Sequence, residues 1–165
     1  MPVVVADTGP LRYLVLIGEI DLLPYLFDRV VIPEAVHAEL WHARAPELVR
    51  AWIAHLPPWL TIVPTPPGAA LAFPGLDNGE QGALALADSL QAGLLLMDDR
   101  KGVAAALARG LRTIGNLGVL DLAARRGLTD LVLALARLKT TNFRVAPKML
   151  DELLARYRRE CGHRE

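Results

Sequence analysis

The chain has 165 residues, 53% of them hydrophobic, with 18 Lys and Arg set against 18 Asp and Glu. That size and composition suit one compact domain with its own core and exclude a disordered tail or a charge-rich linker. The formal net charge of zero argues against a protein held on nucleic acid by bulk positive charge alone, although acids gathered in one site and bases around it would give the same sum.

The first element is Val3-Val4-Val5-Ala6, a β-branched apolar run of the kind a strand buried on both faces requires. It stops at Asp7; Thr8-Gly9-Pro10 breaks it, and Pro10 is placed to open a helix whose apolar stripe is Leu11, Leu14, Val15 and Ile17, ended by Gly18. A second short helix runs from Asp21, a residue type suited to an N-cap, to Phe27. Arg29-Val30-Val31-Ile32 is the next strand, Pro33 starts a helix through Val36 and Leu40, and a further helix covers about Pro46 to His55. Thr61-Ile62-Val63 is a third strand, and the Pro-, Gly- and Ala-rich stretch from Pro64 to Pro74 is expected to be a surface loop. Leu76-Asp77-Asn78-Gly79-Glu80 leads into a long helix through Leu90 that Gly93 closes. Leu94-Leu95-Leu96-Met97 is the most apolar strand and ends abruptly at Asp98-Asp99. A helix from Val103 to Ala108, a stop at Gly110 and a strand from Leu111 to Ile114 continue the alternation, and the rest is helical: 117–124, 128–138 and 147–159.

Short apolar strands alternating with helices predict an α/β fold, three layers α/β/α around a mostly parallel central sheet. The expected organisation is a single domain over 1–165, with 126–165 a C-terminal helical extension packed on it. Nothing at the start reads as a secretory signal and no run reaches the ~18–20 apolar residues that span a bilayer, so the expected location is cytoplasmic, with no membrane partner. The lone Cys161 cannot form an internal disulfide, and His37, His42, His55 and His163 have no zinc-ligand spacing.

In such sheets ligands gather at the carboxyl ends of the strands, near the reversal of strand order. Asp7 ends the first strand there, and Asp98 and Asp99 end the fourth; if the two strands are neighbours, these carboxylates approach one another. Glu80, in the first turn of its helix, also suits the positive end of the helix macrodipole. Glu39, on the helix after the second strand, reads equally as part of a solvated face, and Asp98-Asp99 as a turn. Asp7 is harder to explain structurally, because it terminates a wholly apolar strand. Converging carboxylates repel and resist burial, and a divalent cation relieves both costs. An all-oxygen donor set points to Mg²⁺ or Mn²⁺ rather than zinc or copper, and to phosphodiester hydrolysis. Thr8 is placed to hydrogen-bond a ligating carboxylate, or is a simple turn residue. Arg44, Arg100 and Lys101 could contact RNA phosphates or be ordinary surface charge.

Taken together the motifs resemble those of the PIN-domain family, the prokaryotic subgroup of VapC-like toxin ribonucleases above all. The resemblance lies in Val3-Val4-Val5-Ala6-Asp7-Thr8-Gly9-Pro10-Leu11, in Ile17 to Pro24, in Val31-Ile32-Pro33-Glu34-Ala35-Val36-His37-Ala38-Glu39-Leu40, in Leu76-Asp77-Asn78-Gly79-Glu80 with 83–87, and in Leu94 to Gly102. It implies a PIN-like, Rossmann-like topology and metal-binding, catalytic acids at Asp7, Glu39, Glu80 and one of Asp98 and Asp99. It also implies a Mg²⁺- or Mn²⁺-dependent endoribonuclease acting on RNA, the toxin of a toxin–antitoxin pair, with a small antitoxin partner and a homodimeric state. Where relatives commonly carry Gly-Thr-Leu-Gly-Val-Leu, this chain has Gly115-Asn116-Leu117-Gly118-Val119-Leu120, which removes a hydroxyl at Asn116.

Two other readings compete. One is a PIN fold that keeps its carboxylates but works as an RNA-binding or regulatory module. The other is a haloacid-dehalogenase-like phosphatase, which needs a second Asp two residues after the first, where this chain has Gly9. A nucleotide-binding Rossmann domain is disfavoured, because no Gly-rich phosphate loop follows the first strand.

Overall fold

The computed structural model describes residues 2–161; His163 lies outside them. Two compact units divide the chain, one ending at Asn116 and one beginning at Leu117.

The first unit is built on five parallel strands, β1 (Val4–Ala6), β2 (Val30–Pro33), β3 (Leu60–Val63), β4 (Leu94–Leu96) and β5 (Thr113–Ile114), in the order β3-β2-β1-β4-β5. Helices flank the sheet in three α/β/α layers, as expected. That burial is why β1 is apolar at every position: Val4 is 4% exposed, and Val5 and Ala6 are fully buried. Register pairs Val4 with Leu94 and Ala6 with Leu96, so β1 and β4 end level with one another. Strand order reverses between these two strands, where parallel sheets open a crevice at their carboxyl ends.

The helices of this unit are α1 (Thr8–Leu16), α2 (Leu22–Phe27), α3 (Glu34–Trp41), α4 (Glu47–Ile53), α5 (Ala69–Ala72), α6 (Asn78–Leu90) and α7 (Arg100–Ala108). Four details differ from expectation. Helix α1 starts at Thr8, so Pro10 sits at its third position; the first-turn N–H groups have no intrahelical acceptor, and a proline there sacrifices nothing. Asp21 precedes α2 but makes no side-chain cap. The loop expected over 64–74 holds α5, whose Ala69 is buried along with the adjoining Phe73; the Phe73 carbonyl accepts a 3.0 Å hydrogen bond from the buried amide of Gln81 on α6. Helix α6 is closed by Gln91 in the left-handed conformation (φ 49°), not by Gly93. Gly93 instead permits close approach to Pro2, which a Cβ would strike.

The second unit comprises most of α8 (Asn116–Arg125) together with α9 (Leu131–Lys139) and α10 (Pro147–Cys161). Asp130 caps α9 by accepting from the Leu133 amide at 3.1 Å, three residues after the expected start. Arg125 pairs with Asp121 one turn back (3.0 Å) and with Glu160 of α10. Among the described residues no helix is long and apolar enough to cross a membrane.

Candidate active site

Asp7 stands immediately after β1, in the N-cap position of α1. Its amide donates to the Leu96 carbonyl (2.9 Å), which extends the β1–β4 pairing and pins the residue at the strand ends. The side chain is only 5% exposed, caps nothing, and leaves Oδ1 buried without a hydrogen-bond partner. An unpaired buried carboxylate oxygen is costly, and native structures keep few of them. Burial pushes the Asp7 carboxyl well above the ordinary carboxylate range; the Thr8 amide pulls it back, and the charges of Asp77, Glu80 and Glu39 push it further up.

Glu39, in the last turn of α3, reaches two other elements. The Thr8 hydroxyl donates to Oε2 (2.6 Å) and the Gly79 amide to Oε1 (2.9 Å). Thr8 directly follows Asp7, and Gly79 lies in the first turn of α6, so one carboxylate ties the end of β1 to the start of α6. With Glu39 in this seat, a Cβ at 79 would run into its carboxylate. Burial raises the Glu39 carboxyl; the Thr8 hydroxyl lowers it, the Asp77 charge raises it, and the Gly79 amide lowers it.

The start of α6 is a reciprocal cap. Asp77 accepts from the Glu80 amide at 2.8 Å, and Glu80 accepts in return from the Asp77 amide at 3.3 Å. This Asp-x-x-Glu arrangement satisfies two otherwise unpaired N–H groups. The Glu80 carboxyl is lifted from its ordinary 4.5 to about 7, chiefly by burial, then by the charge and contact of Asp77, with Asp99 adding to the push.

The two aspartates after β4 part company. Asp99 caps α7, accepting from the Gly102 amide at 2.8 Å; it is exposed, and its charge adds to the push on Glu80. Asp98 turns to Asn116, whose side-chain amide donates at 2.8 Å and whose backbone amide donates to both carboxylate oxygens (3.1 and 3.2 Å). Burial raises the Asp98 carboxyl and the Asn116 bonds lower it. Asn116 is fully buried, and a Cβ at Gly115 would overlap Asp98. The Asn116 side-chain amide thus adds one donor beside its own backbone N–H. Arg100 and Lys101 lie exposed in the first turn of α7, and Arg44 is exposed in the turn after α3.

Of the predicted acids, Glu39 and Glu80 bear on the buried Asp7 and Asp99 bears on Glu80, whereas the Asp98 carboxylate is engaged by Asn116. Among the described residues no three acids or histidines already stand at cation-ligating spacing. The donors nevertheless suit a hard divalent cation: all are carboxylate oxygens, and the innermost has a buried lone pair that no protein group uses. Sequence reasoning overlooked Asp77, the acid whose charge bears on Asp7, Glu39 and Glu80 alike. The Asp77-x-x-Glu80 spacing was the available signal.

Comparison with known families bears on this arrangement. A family model described as a PIN domain matches residues 3–159. The chain belongs to the PIN-domain family. No curated protein matches it. PIN domains are generally nucleases and typically use divalent metal ions. The match takes in β1 through most of α10, and so includes Asp7, Glu39, Asp77, Glu80, Asp98 and Asp99.

Proposed function

We propose that this PIN domain is a Mg²⁺- or Mn²⁺-dependent endoribonuclease that hydrolyses RNA phosphodiester bonds. Asp7, Glu39, Glu80 and the Asp98-Asp99 pair are its catalytic acids, Asp99 being the member of the pair whose charge reaches Glu80. The observation that carries this reading is the Asp7 carboxylate: buried, with one oxygen unpartnered, under the combined charge of three other acids. A stable fold tolerates such an arrangement when a bound cation compensates it, and strain of this kind collects at functional sites.

A divalent ion held there would lower the pKa of an attacking water and offset charge on the leaving oxygen. The residues of the chain supply the rest. Asp7 provides a fixed inner ligand on the rigid end of β1. Thr8 and the Gly79 amide hold the Glu39 carboxylate in one rotamer. Glu80, with a carboxyl that titrates near 7, can accept a proton near neutral pH. Arg44, Arg100 and Lys101 are exposed cations available to RNA phosphates.

On the strength of the family resemblance we also assign the protein to the cytoplasm, as the homodimeric toxin of a toxin–antitoxin pair. Residues 126–165 would be a helical extension of one domain, and a small antitoxin would be the second partner. The test is cleavage of single-stranded RNA by purified protein with and without Mg²⁺, for the parent chain and for Asp7→Asn. Cleavage that requires Mg²⁺ and disappears in the variant, with circular dichroism unchanged, is expected. RNA binding by the parent chain without Mg²⁺-dependent cleavage would favour the non-catalytic module instead.

A further inference from the structure

We propose that Asp77 is the positioning residue of the acid site: from the N-cap of α6 it fixes the Glu80 carboxylate, and its own charge, set against Glu39 and Glu80, is part of what draws a divalent cation to Asp7. The proposal rests on the nuclease reading above and adds to it an acid outside the expected ligand set.

The geometry separates two roles that an N-cap aspartate can play. As a cap, Asp77 needs only a side-chain oxygen for the Glu80 amide, which it supplies at 2.8 Å. Asn and Ser do this about as well as Asp, and the helix dipole favours the charge by only about 0.3–1 kcal/mol, so removing the charge leaves the cap in place. The setting points to more. The Asp77 amide holds Glu80 Oε2, and the Asp77 carboxylate bears on Glu39, which is anchored two residues along by the Gly79 amide. One short segment, 77–80, therefore places two acids and contributes a third. The independent sign that this segment faces a ligand is Asp7, itself 5% exposed, with a buried oxygen that no protein donor satisfies. Asp98, by contrast, has its carboxylate committed to three N–H···O contacts from Asn116 at the start of α8. Of the acids outside Asp7, Glu39 and Glu80, Asp77 is the one that is tied directly to Glu80 and stands against Glu39.

The test removes charge while keeping the cap. Full-length Asp77→Asn and Asp77→Ser are compared with the parent by thermal melting without metal and by calorimetric titration with Mn²⁺. Melting within a few degrees of the parent and a Mn²⁺ affinity at least tenfold weaker are expected in both variants, in line with the loss seen when groups supporting metal ligands are removed. A Mn²⁺ affinity equal to the parent's in either folded variant would overturn the proposal and leave Asp77 a cap only, with the nuclease reading intact. A parent chain that does not bind Mn²⁺ at all would overturn both together.

Discussion

Gly79→Ala is a substitution whose local and site effects run in opposite directions. Gly79 is the second residue of α6, and in an ordinary helix the change to alanine stabilises by about 0.5–1 kcal/mol. Here the added methyl would enter the space of the Glu39 carboxylate. The obstacle is the far end of a flexible side chain, so relief requires only that Glu39 swing out, without a backbone shift. Swinging out breaks its contacts with the Thr8 hydroxyl (2.6 Å) and the Gly79 amide (2.9 Å). Hydrogen bonds to a charged group contribute roughly 1.5–3 kcal/mol each, at the low end for a half-buried site where water replaces the donors. Against the helix gain, the net cost is about 2–2.5 kcal/mol, or roughly 4–10 °C in melting temperature for a chain of this size. The effect on the site is larger, because Glu39 leaves it. RNA cleavage should fall about 10–100-fold, the range expected when a group that orients a metal ligand is lost. Thermal melts and initial cleavage rates in Mg²⁺ measure the two effects separately. A Gly79→Ala protein that cleaves at the parent rate would refute the claim that the Glu39 carboxylate works from this seat.

Two further outcomes are expected. Asn116→Ala removes the 2.8 Å side-chain donor to the half-buried Asp98 and should destabilise the protein by about 1.5–3 kcal/mol, whereas Asn116→Thr, which keeps a donor, should lose about half of that or less; chemical denaturation measures both. Because the Glu80 carboxyl is lifted from 4.5 to about 7, the folded chain binds the extra proton, so metal-free stability should be highest below pH 4.5 as far as this group is concerned, fall as pH rises, and level off above 7. Added Mn²⁺ competes with that proton. At a hundredfold excess over its Kd at pH 8 it should stabilise by about 2.7 kcal/mol, and at pH 5.5 the same concentration should give a much smaller shift in melting temperature; an equal shift at both pH values would count against carboxylates as the ligands.

Much of this arrangement can be read along the chain, for identifiable reasons. Strands buried on both faces must be apolar throughout, so β1 and β4 announce themselves, and an Asp at the end of each is conspicuous against that background. Parallel strands share a carboxyl edge, which puts Asp7 and the Asp98-Asp99 pair at the same end of the sheet. Less legible was what tertiary contact decides. Helix α5 is hidden among Pro66, Pro67, Gly68 and Pro74, and forms because Ala69 and Phe73 have α6 to cover them. The split between Asp98 and Asp99 depends on which N–H donors each one meets: Asn116, a sequence-distant residue, for one, and the Gly102 amide for the other. Asp77 precedes its helix, where an acid is an ordinary cap, and its bearing on Glu39 comes from packing α3 against α6.

The most direct test of the central claim is anomalous diffraction from crystals of the protein soaked in Mn²⁺. The account predicts a peak within inner-sphere distance, roughly 2.1–2.2 Å, of Asp7 Oδ1, with carboxylates of Glu39 and Glu80 turned toward it. A well-occupied peak elsewhere on the molecule, or none near Asp7 at saturating Mn²⁺, would contradict it.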